Sequence, residues 1–191
     1  MELLLSICLG IGLSAACGFR IFVPLLGMSI AALAGHLSLA PGFEWIGTWP
    51  AFACFLSATI VEIAAYYIPW VDNLLDSITT PAAVVAGTII TAAVITDMSP
   101  LMKWSLAAIA GGGTAGVIQA SSVAIRGASS FTTGGLANWT VASTELAASI
   151  GTTIFSWLLP ILTALAAAAL VFALLAVFLR QRPVTGKPTV A

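Results

Sequence analysis

The chain has 191 residues, 60% of them hydrophobic and only 7% charged, with a mean hydropathy of +1.12. A soluble domain carries roughly a quarter charged residues, so the composition excludes a water-soluble globule and defines an integral membrane protein. Six Lys and Arg against seven Asp and Glu, for a net charge of -1, provide no basic stripe, and nucleic acid is excluded as a partner.

Residues 3–35 are apolar apart from Arg20, and a straight helix of that length, at about 1.5 Å per residue, exceeds a ~30 Å hydrocarbon core. The segment therefore breaks, and GFRIFVP, where Gly18 and Pro24 flank Arg20, is the predicted place. The break fits either a kink or the join to a re-entrant or interfacial piece. No Lys or Arg precedes Arg20, and Ser14 stands three before Cys17, so the N-terminus reads as a retained membrane segment and not as a cleaved signal. HLSLAPGFEWIGT, residues 36–48, is an interfacial loop. Thr48 caps and Pro50 opens a second span over 49–69, bracketed by Trp49 and Trp70.

Residues 70–80 then place Asp72 and Asp76 one helical turn apart, with Val71, Leu74, Leu75 and Ile78 turned the other way, the pattern of an interfacial helix. Thr80-Pro81 reads as the cap and first-turn proline of a third span over 81–98. After a turn at Asp97, Ser99 and Pro100, a fourth span over 101–126 contains Gly111, Gly112, Gly113 and Gly116 and ends at Arg126, followed by a polar loop from Gly127 to Asn138. Pro160 divides the remaining apolar run into spans over 139–157 and 160–180. The WLLP turn there has no polar residue, so five spans plus a re-entrant segment stand beside six. Residues 181–191 form a basic, proline-punctuated tail.

The expected fold is thus all-α, a polytopic membrane helical bundle in one transmembrane domain over 1–180. With Arg126, Arg180, Arg182 and Lys187 inside, the positive-inside rule makes the tail cytoplasmic, and six spans put both termini on that side of the cell (inner) membrane. GIGLSAACGFR and GGGTAGVIQ open the two halves, and VEIAA around Glu62 matches TELAA around Glu145, which raises a 3+3 inverted repeat of the kind transporters use.

Ionisable groups inside a bilayer cost roughly 2.5 to 3.5 kcal/mol by insertion scales and mark functional sites by default. Glu62 and Glu145 are candidate proton- or cation-binding groups, at similar depth if both helix ends are cytoplasmic. The plain alternative is a neutral carboxyl that fixes helix packing. Arg20 keeps its charge and needs a carboxylate, freed carbonyls or water; a pair with Glu62 stands against snorkelling to the interface. Asp72 and Asp76, with Asn73, offer oxygens to a cation, although a solvated helix face explains them better. Gln119 with Ser121, Ser122, Ser143, Thr144 and Ser149 forms a polar stripe that either lines an aqueous path or bonds back to its own backbone. The three consecutive glycines either unwind or allow close packing, with packing favoured. There is no HExxH or GxSxG, and Cys8, Cys17 and Cys54 share no metal-ligand spacing with His36. The expectation is no metal site, no cofactor and no enzyme.

GLSAACGFRIFVPLL, PGFEWIGTWPA, YYIPWVDNLLDSITTP and TTGGLAN, in that order, resemble a family of bacterial membrane proteins known as domain of unknown function number four-one-two-six. The likeness covers nearly the whole chain up to the tail and implies a small multi-span membrane protein with no assigned activity. Some relatives carry a lysine where this chain has Tyr66 and Tyr67, so a cation role at that point does not carry over.

The residues together point to a secondary transporter or permease for a small solute or ion, with the lipid bilayer and that solute as partners. A non-catalytic membrane subunit or assembly factor, in a homo-oligomer or with a membrane protein partner, is the alternative, and a lipid flippase using Arg20 is the third reading. A water-filled cavity reaching the carboxylates, dry and paired carboxylates, or a groove open to lipid would separate the three.

Overall fold

The computed structural model describes residues 1–180, apart from the side chains at 69, 70, 72 and 73. The tail read over 181–191 and the side chain of Asp72 therefore lie outside the described residues. Within them the chain is helical: α1 (Glu2–Phe19), α2 (Phe22–Leu33), a 3-10 turn (Glu44–Gly47), α3 (Trp49–Tyr66), α4 (Pro69–Val94), α5 (Pro100–Leu106), a π-helical segment (Ala107–Gly112), α6 (Gly113–Thr133), α7 (Asn138–Leu158) and α8 (Pro160–Arg180). Five stretches are long and apolar enough to cross a membrane, namely Glu2–Phe19, Trp49–Tyr66, Leu74–Val94, Pro100–Thr133 and Pro160–Arg180. The 21 residues of α7 supply the length, about 31 Å, but Glu145 and its hydroxyls make it less apolar.

Prolines start the helices where a missing N–H costs nothing: Pro50, Pro69 and Pro100 lie in the first turns of α3, α4 and α5 and Pro160 begins α8. Thr48 caps α3 by accepting from the Ala51 N–H. α6 ends on Gly134, whose φ of 64° is the left-handed conformation a glycine C-cap supplies.

The break in GFRIFVP falls at Arg20, which is extended at φ -146° and ψ 123°. Pro24 explains the position, since continuing α1 through it would drive its ring into the Arg20 carbonyl. The break is a reversal and not a kink. α1 runs antiparallel to α4, with Gly10 beside Thr91 and Val94, Ser14 Oγ donating to the Gly87 carbonyl at 2.8 Å and Cys17 Sγ near the Ala83 carbonyl. α1 is antiparallel to α7 as well, through Gly12 beside Ser156 and Ser149 Oγ to the Ala16 carbonyl. α2 then runs parallel to α7, with Gly27 beside Thr153, and antiparallel to α3, from Ile21 at Glu62 to Ala32 at Gly47. α1 and α2 therefore form a hairpin whose tip is Arg20-Ile21. The tip stops beside Glu145, seven residues in from the start of α7, which is about 10 Å short of that helix end. The arrangement is a helical hairpin followed by five helices that run back and forth along the bundle, so the chain begins at one end of the bundle and α8 finishes at the other. Six spans would put both termini at the same end; the helix directions put them at opposite ends, because the chain already reverses at Arg20-Ile21.

Three further readings change. The interfacial helix over 70–80 and the span from 81 are one helix, α4, with Pro81 inside it; the Thr80 hydroxyl bonds back to the Asp76 carbonyl instead of capping, and the turn tolerates the one missing hydrogen bond. α4 ends at Val94, four residues before the expected end of its span. The helix expected to stop at Arg126 continues to Thr133, so the loop read over 127–138 shrinks to the turn around Gly134 and Gly135.

The glycine run packs and does not unwind. A Cβ on Gly87 would stand 2.7 Å from the Ala115 Cβ and 2.9 Å from the Gly111 carbonyl oxygen, so α4 and the π segment meet backbone to backbone. Gly18 plays the same part for α1, 2.7 Å from the Ile118 Cβ. Gly113 faces open space. Gly87→Val should therefore lower stability by about 1 to 3 kcal/mol through overpacking, while Gly113→Ala should be neutral or add up to about 1 kcal/mol of helix propensity. Thermal melting of both variants in detergent checks this pair; equal losses would contradict the close approach.

Candidate functional site

The site forms where the hairpin tip meets α3, α4, α6 and α7. An α-helix leaves its first N–H groups without partners, and here those of α2 lie inside the bundle. Glu62, on α3, supplies the acceptors: the Ile21 N–H donates to Oε1 at 2.8 Å and the Phe22 N–H to Oε2 at 3.1 Å. Pro24, in the same first turn, brings no N–H at all. Glu62 is thus a cap delivered from another helix, and its negative charge sits at the positive end of α2.

Arg20 pairs elsewhere. Its Nη2 donates to the Ala142 carbonyl at 2.9 Å and stands 3.6 Å from Glu145 Oε2. The expected Arg20-Glu62 pair is replaced by Arg20-Glu145, because both oxygens of Glu62 are occupied by backbone. Arg20 is 1% exposed, so it does not snorkel. Its Nε and Nη1 are buried without a hydrogen-bond partner.

Glu145 is also held by Arg126, whose Nη2 donates to Oε2, and by Ser122, whose hydroxyl donates to Oε1. Arg126 Nη1 reaches Asp76 Oδ1 at 3.0 Å. The carboxylate read as a solvated face of an interfacial helix is buried against a guanidinium, because α4 is continuous there and turns Asp76 inward. Both guanidinium carbons stand over the Tyr66 ring, 3.8 Å from its centroid for Arg20 and 4.0 Å for Arg126, within reach of cation-π attraction. The Tyr66 hydroxyl and Gln119 Nε2 both meet Thr79 Oγ1, at 3.3 and 2.9 Å.

Five charged side chains therefore lie at one level: Asp76, Arg126 and Glu145 are each seven residues, about 10 Å, from the near end of their helix. Glu62, Glu145, Arg20, Asp76 and Gln119 all come to this region, as candidates the sequence offered. Arg126 and Tyr66 were not foreseen as site residues. Arg126 looked like a helix-end charge, and its signal was the lack of any polar residue other than Gln119 and the serines to explain how the α6 face is buried. Of the polar stripe, Ser122 and Ser149 reach across to other helices, Ser143 bonds both its own helix and the Tyr67 hydroxyl, and Ser121 and Thr144 bond back to their own helices.

Two kinds of space adjoin the cluster. On the side of the α3 and α6 ends, a pocket of about 190 Å³ is lined by Tyr66, Tyr67, Gly134, Gly135, Leu136, Asn138 and Trp139, and the Tyr66 ring in its wall is the one on which both guanidiniums stack. Laterally, an apolar pocket of about 350 Å³ between α6, α7 and α8 has Glu145 and Ser122 in its wall, and a second of about 410 Å³ continues along α7 and α8 past Ala148 and Leu170.

Fold and site define a polytopic α-helical membrane protein with a buried charge cluster at the tip of the α1–α2 hairpin. A family model described as Domain of unknown function (DUF4126) matches residues 7–181, and the chain belongs to that family. No curated protein and no solved structure matches it.

A double-mutant cycle distinguishes the pairs. Arg126→Met and Glu145→Met should each cost about 3 to 5 kcal/mol by leaving a buried charge alone, and the double variant far less than their sum. Arg20 and Glu62 should couple more weakly, and Glu62→Ala alone should cost about 1 to 3 kcal/mol from two unsatisfied N–H groups. Unfolding free energies in detergent give the comparison; stronger coupling in the second pair would reverse the assignment.

Proposed function

We propose that this protein is a transporter or permease for a small solute or ion, with the Arg20-Glu145-Arg126 cluster as its binding and coupling site. One observation carries the reading: the hairpin of α1 and α2 stops part-way through the bundle at five charged side chains. Non-helical backbone at membrane depth is tolerated where protein or an aqueous path satisfies it, and broken helices that end at mid-membrane charges form the binding sites of many secondary transporters. The cluster is costly to keep in a bilayer, and intramembrane charges default to functional candidates. Glu62 belongs to the scaffold on this reading, and Glu145 is the group that moves protons. The same charges serve no enzyme chemistry in this proposal.

The basic residues Arg180, Arg182 and Lys187 favour a cytoplasmic C-terminus in a cell membrane, which puts the Tyr66 pocket on the cytoplasmic side and the N-terminus outside. The flippase reading draws on the lateral pockets at Glu145; their walls are almost wholly apolar, as surfaces facing lipid tails are, and they offer no path for a head group.

The test is proton movement in proteoliposomes on addition of a panel of small solutes and cations. Wild type should give a solute-dependent signal, Glu145→Gln should fall to the protein-free rate, and Glu62→Gln should keep the signal per folded molecule. Unchanged coupling in Glu145→Gln, or no signal with any solute from folded wild type, would move the weight to a non-catalytic subunit held together by these charges.

A further inference from the structure

A guanidinium has five N–H donors in a rigid fork, and Arg20 uses only Nη2, on the Ala142 carbonyl and toward Glu145. Its Nε and Nη1 are buried and lack a hydrogen-bond partner, so the guanidinium has donors to spare for a further acceptor. The carboxylates divide unequally around it. Glu62 is committed to two backbone N–H groups, and Asp76 to Arg126. Glu145 alone serves two cations through one oxygen, Oε2, while Ser122 takes the other.

We infer that the solute is a small oxyanion of carboxylate, sulfate or phosphate type, which enters past Tyr66 and binds Arg20 in exchange for Glu145 when Glu145 takes up a proton. The inference rests on the transport reading and names its substrate class. The planar fork of arginine matches an oxyanion in two-point contact, and Glu145 occupies part of that place as a tethered carboxylate. A proton adds to the Glu145 carboxylate, its hold on Arg20 lapses, and the anion takes that place; a monovalent anion and its proton cross together without net charge, whereas sulfate with one proton carries one net negative charge across. Arg126 keeps Asp76 throughout. The groups that face Glu145 from each packed element fit this: Arg20 from α1, Arg126 and Ser122 from α6, Asp76 from α4 through Arg126, and Glu62 and Tyr66 from α3 beyond Arg20. α8 brings only Leu170 and Leu174 to the Glu145 pocket, and α2 has no titratable side chain. The pocket over Tyr66, about 190 Å³, suits a small anion and not a lipid tail.

The full chain in neutral detergent, weakly buffered, is titrated with sodium pyruvate, sodium sulfate and glycerol, and separately with phosphatidylglycerol and phosphatidylcholine vesicles; proton uptake and thermal shift are read. Wild type should bind pyruvate or sulfate but not glycerol, take up about one proton per pyruvate, and gain affinity by up to about tenfold per pH unit on acidification. Glu145→Gln should bind pyruvate at least about tenfold more tightly at neutral pH, with no proton uptake, because the competing carboxylate is gone; Arg20→Met should not bind. Should Glu145→Gln fail to fold, the wild-type proton count decides. Anion binding without proton uptake, no binding at any pH, or stabilisation by phosphatidylglycerol vesicles alone, as from a head group, overturns the inference. Flux of an uncharged or cationic solute without anion binding also overturns it but leaves the transport reading intact, whereas proton-linked anion binding without flux overturns transport and leaves the anion site.

Discussion

The structure depends on the cap that Glu62 gives to the start of α2. Because α2 begins inside the bundle, its first N–H groups need acceptors from protein, and the two oxygens of Glu62 supply them. Without that cap the hairpin would leave unsatisfied backbone donors at membrane depth, each costing several kcal/mol. The cap fixes the tip, the tip fixes Arg20, and Arg20 then requires a carboxylate from a helix other than α3. The charge of Glu145, and through it Arg126 and Asp76, follows from that requirement.

Close packing elsewhere makes the arrangement reachable. Gly87 and Gly111 let α4 and the π segment approach backbone to backbone, Gly18 lets α1 approach α6 at Ala115 and Ile118, and Gly10 lets α1 approach α4 at Thr91, where Ser14 meets the Gly87 carbonyl and the Thr91 hydroxyl; together they set the height of α6 against α4. The π segment has one extra residue per turn relative to an α-helix. That shift in phase affects which α6 residues face inward, and those residues are Ile118, Gln119, Ser122 and Arg126. Removing the bulge would rotate Arg126 relative to Asp76 and Glu145. Hence a glycine cluster near one end of the helix and a charge near the other act on the same geometry.

Much of this was legible in the residues. An all-helical membrane bundle follows from hydropathy, and the breaks before Pro24 and at Pro160 follow from what proline does to a helix. Glu62, Glu145 and Arg20 stood out because charge in an apolar run needs a reason. Pairing was not legible: Glu62 and Arg20 looked like partners because both were buried, but which oxygen meets which donor depends on a reversal of chain direction that GFRIFVP does not specify. Pro81 misled for a related reason. Thr-Pro after a turn of polar residues is a good helix start in water, whereas inside a bundle a helix can run through proline when neighbours protect the freed carbonyl. Reading Pro81 as a start cut α4 in two, and that cut turned Asp76 into a surface residue. Ending α6 at Arg126 followed from the same habit of placing isolated charges at helix ends.

The cluster is neither the dry, fully matched network that packing alone would favour nor an open aqueous cavity. Asp76, Arg126 and Ser122 close one side of it with short contacts, and Glu62 is spent on backbone. What remains asymmetric is Arg20, with one nitrogen engaged and two without a hydrogen-bond partner, next to Glu145, which it shares with Arg126. A bundle optimised for stability would replace such a group with apolar packing, since buried ion pairs often gain nothing over hydrophobic substitutes. The Tyr66 ring, which stacks on the Arg20 guanidinium, also lines a pocket on the α3 and α6 side. The position of Tyr66 therefore connects the packing of the tip to the surface: the side chain that stacks on Arg20 and Arg126 is also part of a pocket wall at the ends of α3 and α6.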